Sequence, residues 1–155
     1  MQITARQDVE APLDVVFREA SDFAAFERQA LRRGADVRRL DRGGEVGEGS
    51  AWELEFRYRG REREVRIDVV QFDQDQAYAL TSSSAGLEGL TYVEFVAMSG
   101  TRTRVSMATE LTAKTLPAKL LLQSLKLAKG QLNRRVGDRI AEFAREVEAR
   151  WQRSR

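Results

Sequence analysis

From Thr115 onward, apolar residues recur at helical spacing: Leu121, Leu125, Ala128, Leu132, Val136, Ile140, Phe143, Val147 and Trp151. At about 3.6 residues per turn they form one stripe along roughly ten turns. A helix of this length draws its stability in water mainly from packing its apolar face. The stripe therefore demands an apolar partner surface of similar length.

The rest of the chain offers one. For roughly eighty residues after Gly34 the hydrophobic period is two. "SAWELEFRYRG" sets Trp52, Leu54, Phe56 and Tyr58 against Glu53, Glu55, Arg57 and Arg59, and "REREVRIDVVQF" sets Arg63, Val65, Ile67 and Val69 against Glu64, Arg66 and Asp68. A shorter strand at Val37 to Asp41 precedes them, closed by the turn Asp41-Arg42-Gly43-Gly44. "AYALTSSS", "GLTYVEFVAM" and "RTRVSMATEL" follow, the last two separated by Ser99-Gly100-Thr101. With the opening strand of Ile3, Ala5, Gln7 and Val9, this predicts about seven strands in an antiparallel meander with one apolar and one charged face. The charged rows alternate in sign and form no positive stripe. They read as a solvated face with cross-strand ion pairs, and nucleic acid is not an expected partner.

Between the first strand and the meander the chain bends. Ala11-Pro12 ends the strand and starts a short helix with Leu13, Val16, Phe17 and Ala20 on one face. Ser21 or Asp22 then caps a second short helix carrying Phe23, Phe26 and Ala30.

Composition narrows the chemistry. A chain of 155 residues, 42% apolar and 32% charged, is expected to fold as one domain over 1–155. With no histidine and no cysteine there is no Ser-His triad, imidazole zinc site, thiolate ligand or disulfide, and no metal or nucleotide cofactor is expected. No run approaches the roughly 20 apolar residues of a membrane span, and Arg6, Asp8 and Glu10 interrupt any secretory core, so a cytoplasmic protein is expected. The excess of arginine over lysine points to a GC-rich bacterial genome.

The sequence resembles the START-related helix-grip (SRPBCC) superfamily, and within it the bacterial polyketide cyclase/dehydrase-like proteins. The resemblance rests on "VEAPLDVVFREASDFAAF" running from strand to two helices, "GGEVGEGSAWELEF" leading into the third strand, "SGTRTRVSM" turning into the last, and the long helix after Thr115. It implies an α+β helix-grip fold: a seven-stranded curved antiparallel sheet wrapped around the C-terminal helix, with the two short helices as a bent brace at one end. It also implies an elongated hydrophobic cavity between sheet and helix.

Strand parity supplies the candidate ligand-binding residues. Trp52, Leu54, Phe56 and Tyr58 come from one strand, and Val65, Ile67 and Val69 from the next. Tyr78, Leu80, Val93, Phe95, Met107 and Thr109 follow on the later strands, with Val105 beside them and Leu121, Leu125 and Leu132 opposite on the helix. On the sixth strand Val93 and Phe95 are read as inward because this leaves Glu94 in water. Tyr58, Arg63, Gln71, Tyr78, Ser82 and Thr109 give the same face polar tips, which suits a cavity better than a dry core. The expected function is binding or transport of a hydrophobic small molecule of lipid, polyketide or aromatic type. A cyclase or dehydratase is the alternative, with Tyr58 or Tyr78 as proton donor and Arg63 stabilising an enolate oxygen. A protein-interaction domain with a closed cavity is the third reading.

One feature lies outside this scheme. Leu116, Leu120 and Leu127 fall on the helix face opposite the stripe, within a run from Lys114 to Arg135 that has basic but no acidic residues. The expectation is that the short helices or the loop after Gly34 cover them; a homodimer or a transient contact with anionic membrane through this face are the alternatives.

Overall fold

Each alternating segment becomes a strand. The computed structural model describes residues 1–155, with β1 (Gln2–Val9), α1 (Leu13–Ala20) and α2 (Phe23–Arg32) followed by a six-strand meander. The meander runs β2 (Asp36–Arg39), β3 (Ala51–Tyr58), β4 (Arg61–Asp73), β5 (Ala77–Ser84), β6 (Leu87–Ser99) and β7 (Arg102–Ala113). Every pairing is antiparallel, and the spatial order β1-β7-β6-β5-β4-β3-β2 places β1 and β2 at opposite edges.

Two hairpins turn on residue pairs with both φ values positive, Arg59-Gly60 (53° and 74°) and Ala85-Gly86 (48° and 85°). Such two-residue turns match the twist of antiparallel strands. Gly86 has a second role, since a Cβ there would overlap the side chain of Thr115. Thr115 caps α3 (Leu116–Leu127) by accepting from the Ala118 N–H at 3.3 Å.

The bend at Ser21-Asp22 is built from caps. The Ser21 hydroxyl donates to the Phe17 carbonyl at 2.7 Å, and the Asp22 carboxylate accepts from the Ala25 N–H at 3.1 Å. The two short helices pack under the sheet at one end, where Phe17 is fully buried among Phe72, Tyr78 and Phe95.

The structure departs from the sequence reading in three places. The helix after Thr115 is two helices, α3 and α4 (Lys129–Ser154), separated at Ala128 (φ −99°, ψ 13°). Gly130 at the start of α4 weakens helix continuity there. The break lets α3 follow β6 and β7 while α4 lies over β1 and α1, which a straight rod could not do. Second, the β4–β5 register slips between Val69 and Gln71. The bulge absorbs Val70, so Phe72 pairs with Tyr78 on the inner face and Gln71, expected inward, turns outward. Third, Leu116, Leu120 and Leu127 are not covered by the short helices or the loop after Gly34; all three are exposed.

The outer face carries cross-strand ion pairs, Asp8 with Arg104 at 2.8 Å and Arg38 with Glu53 at 2.9 Å. The Arg104 guanidinium holds the Asp8 carboxyl below its ordinary range. No helix is long and apolar enough to cross a membrane.

Candidate ligand cavity

The inner face of the sheet is most deeply buried at one end. Along β3, Trp52 is buried, Leu54 and Phe56 are half-buried and Tyr58 is exposed. Val69, Ile67 and Val65 on β4, and Tyr78, Leu80 and Ser82 on β5, lose burial in the same direction. The core cluster sits at the buried end and includes Ala144 and Val147 of α4, with Phe143 and Trp151 packed against it.

Beside this core, beneath α2, is an apolar cavity of about 210 Å³. Phe23, Phe26 and Ala30 of α2 form its roof, Val37 one side, and Trp52, Leu54, Ile67, Tyr78 and Leu80 its floor. Glu27 is the single polar or charged residue apart from the tyrosine, and its carboxylate accepts a hydrogen bond from the Trp52 indole N–H. That bond holds α2 to β3 and fixes the indole plane. Phe26 also borders a groove between α2 and α4 lined by Gln29, Arg33, Arg139, Glu142, Phe143 and Glu146. Its ring, 5.9 Å from Phe23 and partly exposed, thus stands between the cavity and the outside.

Five candidates from strand parity, Trp52, Leu54, Ile67, Tyr78 and Leu80, line this cavity. Val69, Val93, Phe95 and Val105 are buried in the adjoining core. Phe56, Val65, Met107 and Thr109 are half-buried, and Thr109 shares a hydrogen bond with Thr91 at 2.8 Å. Tyr58 is 54% exposed at the hairpin, beneath the Arg59 guanidinium. Leu125 and Leu132 are half-buried and Leu121 is exposed; none of the three touches the cavity. Val93 and Phe95 point inward and Glu94 outward, as read from the charge.

No family model and no curated protein matches the sequence. Solved structures do match in three dimensions. Protein TTHA0849 of Thermus thermophilus superposes with a TM-score of 0.67 at 17% identity, over 96% of this chain and 98% of its own. The Zhui aromatase/cyclase of Streptomyces sp. R1128 gives 0.67 at 12% identity over 97% and 94%, and norcoclaurine synthase of Thalictrum flavum 0.64 at 14% over 96% and 91%. The chain has the helix-grip fold. In this helix-grip the cavity nevertheless lies against α2, whereas the sequence reading set it against the C-terminal helix.

Phe23, Phe26, Glu27, Ala30 and Val37 are the cavity residues that parity missed. The signal was present, since Phe23, Phe26 and Ala30 share one face of α2. Arg63 faces inward opposite Phe56, forms no ion pair, and its buried Nε has no hydrogen-bond partner. On the outer face the carboxylates of Glu53, Glu55 and Glu64 lie within 4.8 Å of one another, and repulsion from Glu53 raises the Glu64 pKa.

Tyr78 joins cavity to core. Its hydroxyl donates to the Ala20 carbonyl at 2.8 Å, and burial pushes the phenol well above its ordinary range. The folded state therefore keeps the proton where the unfolded chain loses it, near pH ~10. Stability from this group is complete below that pH and falls above it. Tyr78→Phe is expected to cost about 1–2 kcal/mol at neutral pH by leaving the carbonyl unpaired. It should also flatten the alkaline decline, as read from urea midpoints on either side of pH ~10. An equally steep decline in the variant would assign the effect to other groups.

Proposed function

We propose that this protein binds a small hydrophobic molecule, the size of one aromatic ring or a short branched chain, in the cavity beneath α2. The observation that carries the reading is the cavity itself: about 210 Å³, walled by apolar and aromatic side chains, with one carboxylate. A dry apolar void of about 150 Å³ is enough to hold benzene. Two solved structures with this fold are named as an aromatase/cyclase and a norcoclaurine synthase, which gives precedent for small-molecule chemistry on the scaffold.

Indole, p-cresol, naphthalene and octanol are suitable probes. At about a hundred times Kd a ligand stabilises by ~2.7 kcal/mol, or roughly 5–10 °C in Tm for a chain of this size. Ala30→Phe, which fills the roof, should abolish that shift while leaving the unliganded Tm close to the parent's. Absence of a shift with every probe, together with native mass spectra free of any co-purified molecule, would remove the binding reading.

A cyclase or dehydratase acting in the same interior is the second reading, and Arg63 favours it. An inward guanidinium without a partner is suited to stabilise a developing oxyanion. For an enzyme, Arg63→Gln should lower turnover while substrate binding persists; for a carrier that binds beneath α2 it should leave affinity unchanged, because Arg63 does not line that cavity.

A further inference from the structure

The helix α3 has two unlike faces. Ala118 is buried and Leu122 and Leu125 are half-buried against β6, β7 and α4. The opposite face presents Leu116, Leu120 and Leu127 at 70%, 63% and 92% exposure, and at 100° per residue they fall within a sector of about 40°. Leu121, on the stripe side of the helix, is exposed as well.

Along the chain, the charges flanking these leucines have one sign. All four lysines of the chain, Lys114, Lys119, Lys126 and Lys129, lie here, and Arg134 and Arg135 continue the run with no acidic residue between Lys114 and Arg135. None of the six takes part in an ion pair. The whole chain has a net charge of +2, so everything outside these six carries −4. Lys119 and Lys126 lie on α3, Lys114 just precedes it, and Lys129, Arg134 and Arg135 open α4, so the net basic charge is gathered around the helix that also exposes its leucines.

We propose that α3 and the first turns of α4 form a docking surface for an anionic lipid bilayer. Leucines on the outward face enter the boundary between headgroups and acyl chains, while the lysine stems lie along it and their ammonium groups reach lipid phosphates and carboxylates. Charge complementarity selects this occupant over a second copy of the chain, because a two-fold dimer through the face would set cation against cation. Nucleic acid is a poorer match, since bare leucines at the centre of the patch have nothing to stack on. At 12 residues, α3 reaches about 18 Å, so it lies on the surface without spanning it.

The position gives the contact a use. Ser84 pairs with Leu87 and its hydroxyl donates to the Glu64 carbonyl, which places the start of β6, where α3 docks, at the sheet end shared by Arg63, Phe56 and Ser82. That is the end toward which the inner face loses burial. A docked α3 would set it against the bilayer.

Co-sedimentation of the full chain with vesicles tests this. Binding is expected to vesicles of equal parts phosphatidylcholine and phosphatidylserine, weakening steeply with salt, and not to phosphatidylcholine alone. The double variant Lys119→Glu, Lys126→Glu should bind at least about tenfold more weakly, and Leu127→Ser should also reduce binding, both with unchanged circular dichroism. Arg18→Glu, on α1 at the opposite end of the sheet, is exposed and unpaired and should bind like the parent. The proposal is overturned if the folded parent does not bind anionic vesicles at low salt, or if either α3 variant binds as the parent does. A dimer in sedimentation velocity that Leu127→Ser abolishes would overturn it too, assigning the face to a second copy.

Discussion

Phe17→Ala is expected to lower the unfolding free energy by about 3–5 kcal/mol, seen as a lower urea midpoint. The side chain is fully buried and meets three rings nearly edge-on: Phe95 at 5.0 Å, Phe72 at 5.5 Å and Tyr78 at 6.3 Å between centroids. Such pairs add roughly 0.5–1.5 kcal/mol beyond the area they bury. Truncation would leave a void between rings that the sheet holds apart, so relaxation cannot close it. Because α1 is only eight residues long it has little helical stability of its own, and Phe17 is its central attachment. Tyr78 rests on Phe17 and forms part of the cavity floor, so probe binding should weaken as well. Phe17→Leu should retain most of the stability, and a cost below about 1 kcal/mol for the alanine variant would show that the aromatic cluster does not anchor the helix.

The elements were legible because their hydrophobic periods differ so plainly. A stretch such as Trp52-Glu53-Leu54-Glu55-Phe56 admits one pairing face, and Glu94 oriented β6 because an inward carboxylate would need a partner. Parity failed where the chain gained a residue. Nothing in Val69-Val70-Gln71-Phe72 marks a bulge, since both valines suit a strand and only the pairing with β5 shows that Val70 is extra. The break at Ala128 was hidden for a related reason: the apolar stripe keeps its spacing across it, and only the diverging courses of α3 and α4 require it.

The cavity was legible by half. Alternation identifies the inner face of a strand, so Trp52, Leu54, Ile67, Tyr78 and Leu80 could be named in advance. It does not say which helix lies above each strand. In this fold α4 covers β1 at one edge and α2 approaches β2 at the other, so the roof over β3 to β5 comes from Phe23, Phe26 and Ala30. The covering of α3 also depended on tertiary placement. The short helices that might have shielded its leucines are engaged at the opposite end of the sheet.

Val147→Asp is expected to be the most damaging single change, at about 4 kcal/mol or more. Val147 is fully buried within the core cluster shared by α1, α4 and the sheet. The polar ties of α4 are weaker substitutes. The Glu10 N–H donates to Glu148 at 2.8 Å, Arg150 pairs with Glu19 at 2.8 Å, and the Thr4 N–H reaches Asn133 at 3.4 Å, all in exposed surroundings. Exposed ion pairs contribute at most about 1 kcal/mol each, so Arg150→Ala should be a mild change. The introduced carboxylate would have no partner, and burial would raise its pKa above that of the unfolded chain. Its cost should therefore be smallest in acid and grow as pH rises from the unfolded pKa toward the folded one. Val147→Ala, which removes only two methyl groups, should cost roughly 1–3 kcal/mol without that pH dependence. If Val147→Asp retains the parent's urea midpoint at neutral pH, α4 is not held through this contact, and the gripping of the C-terminal helix by the sheet must rest on its ends.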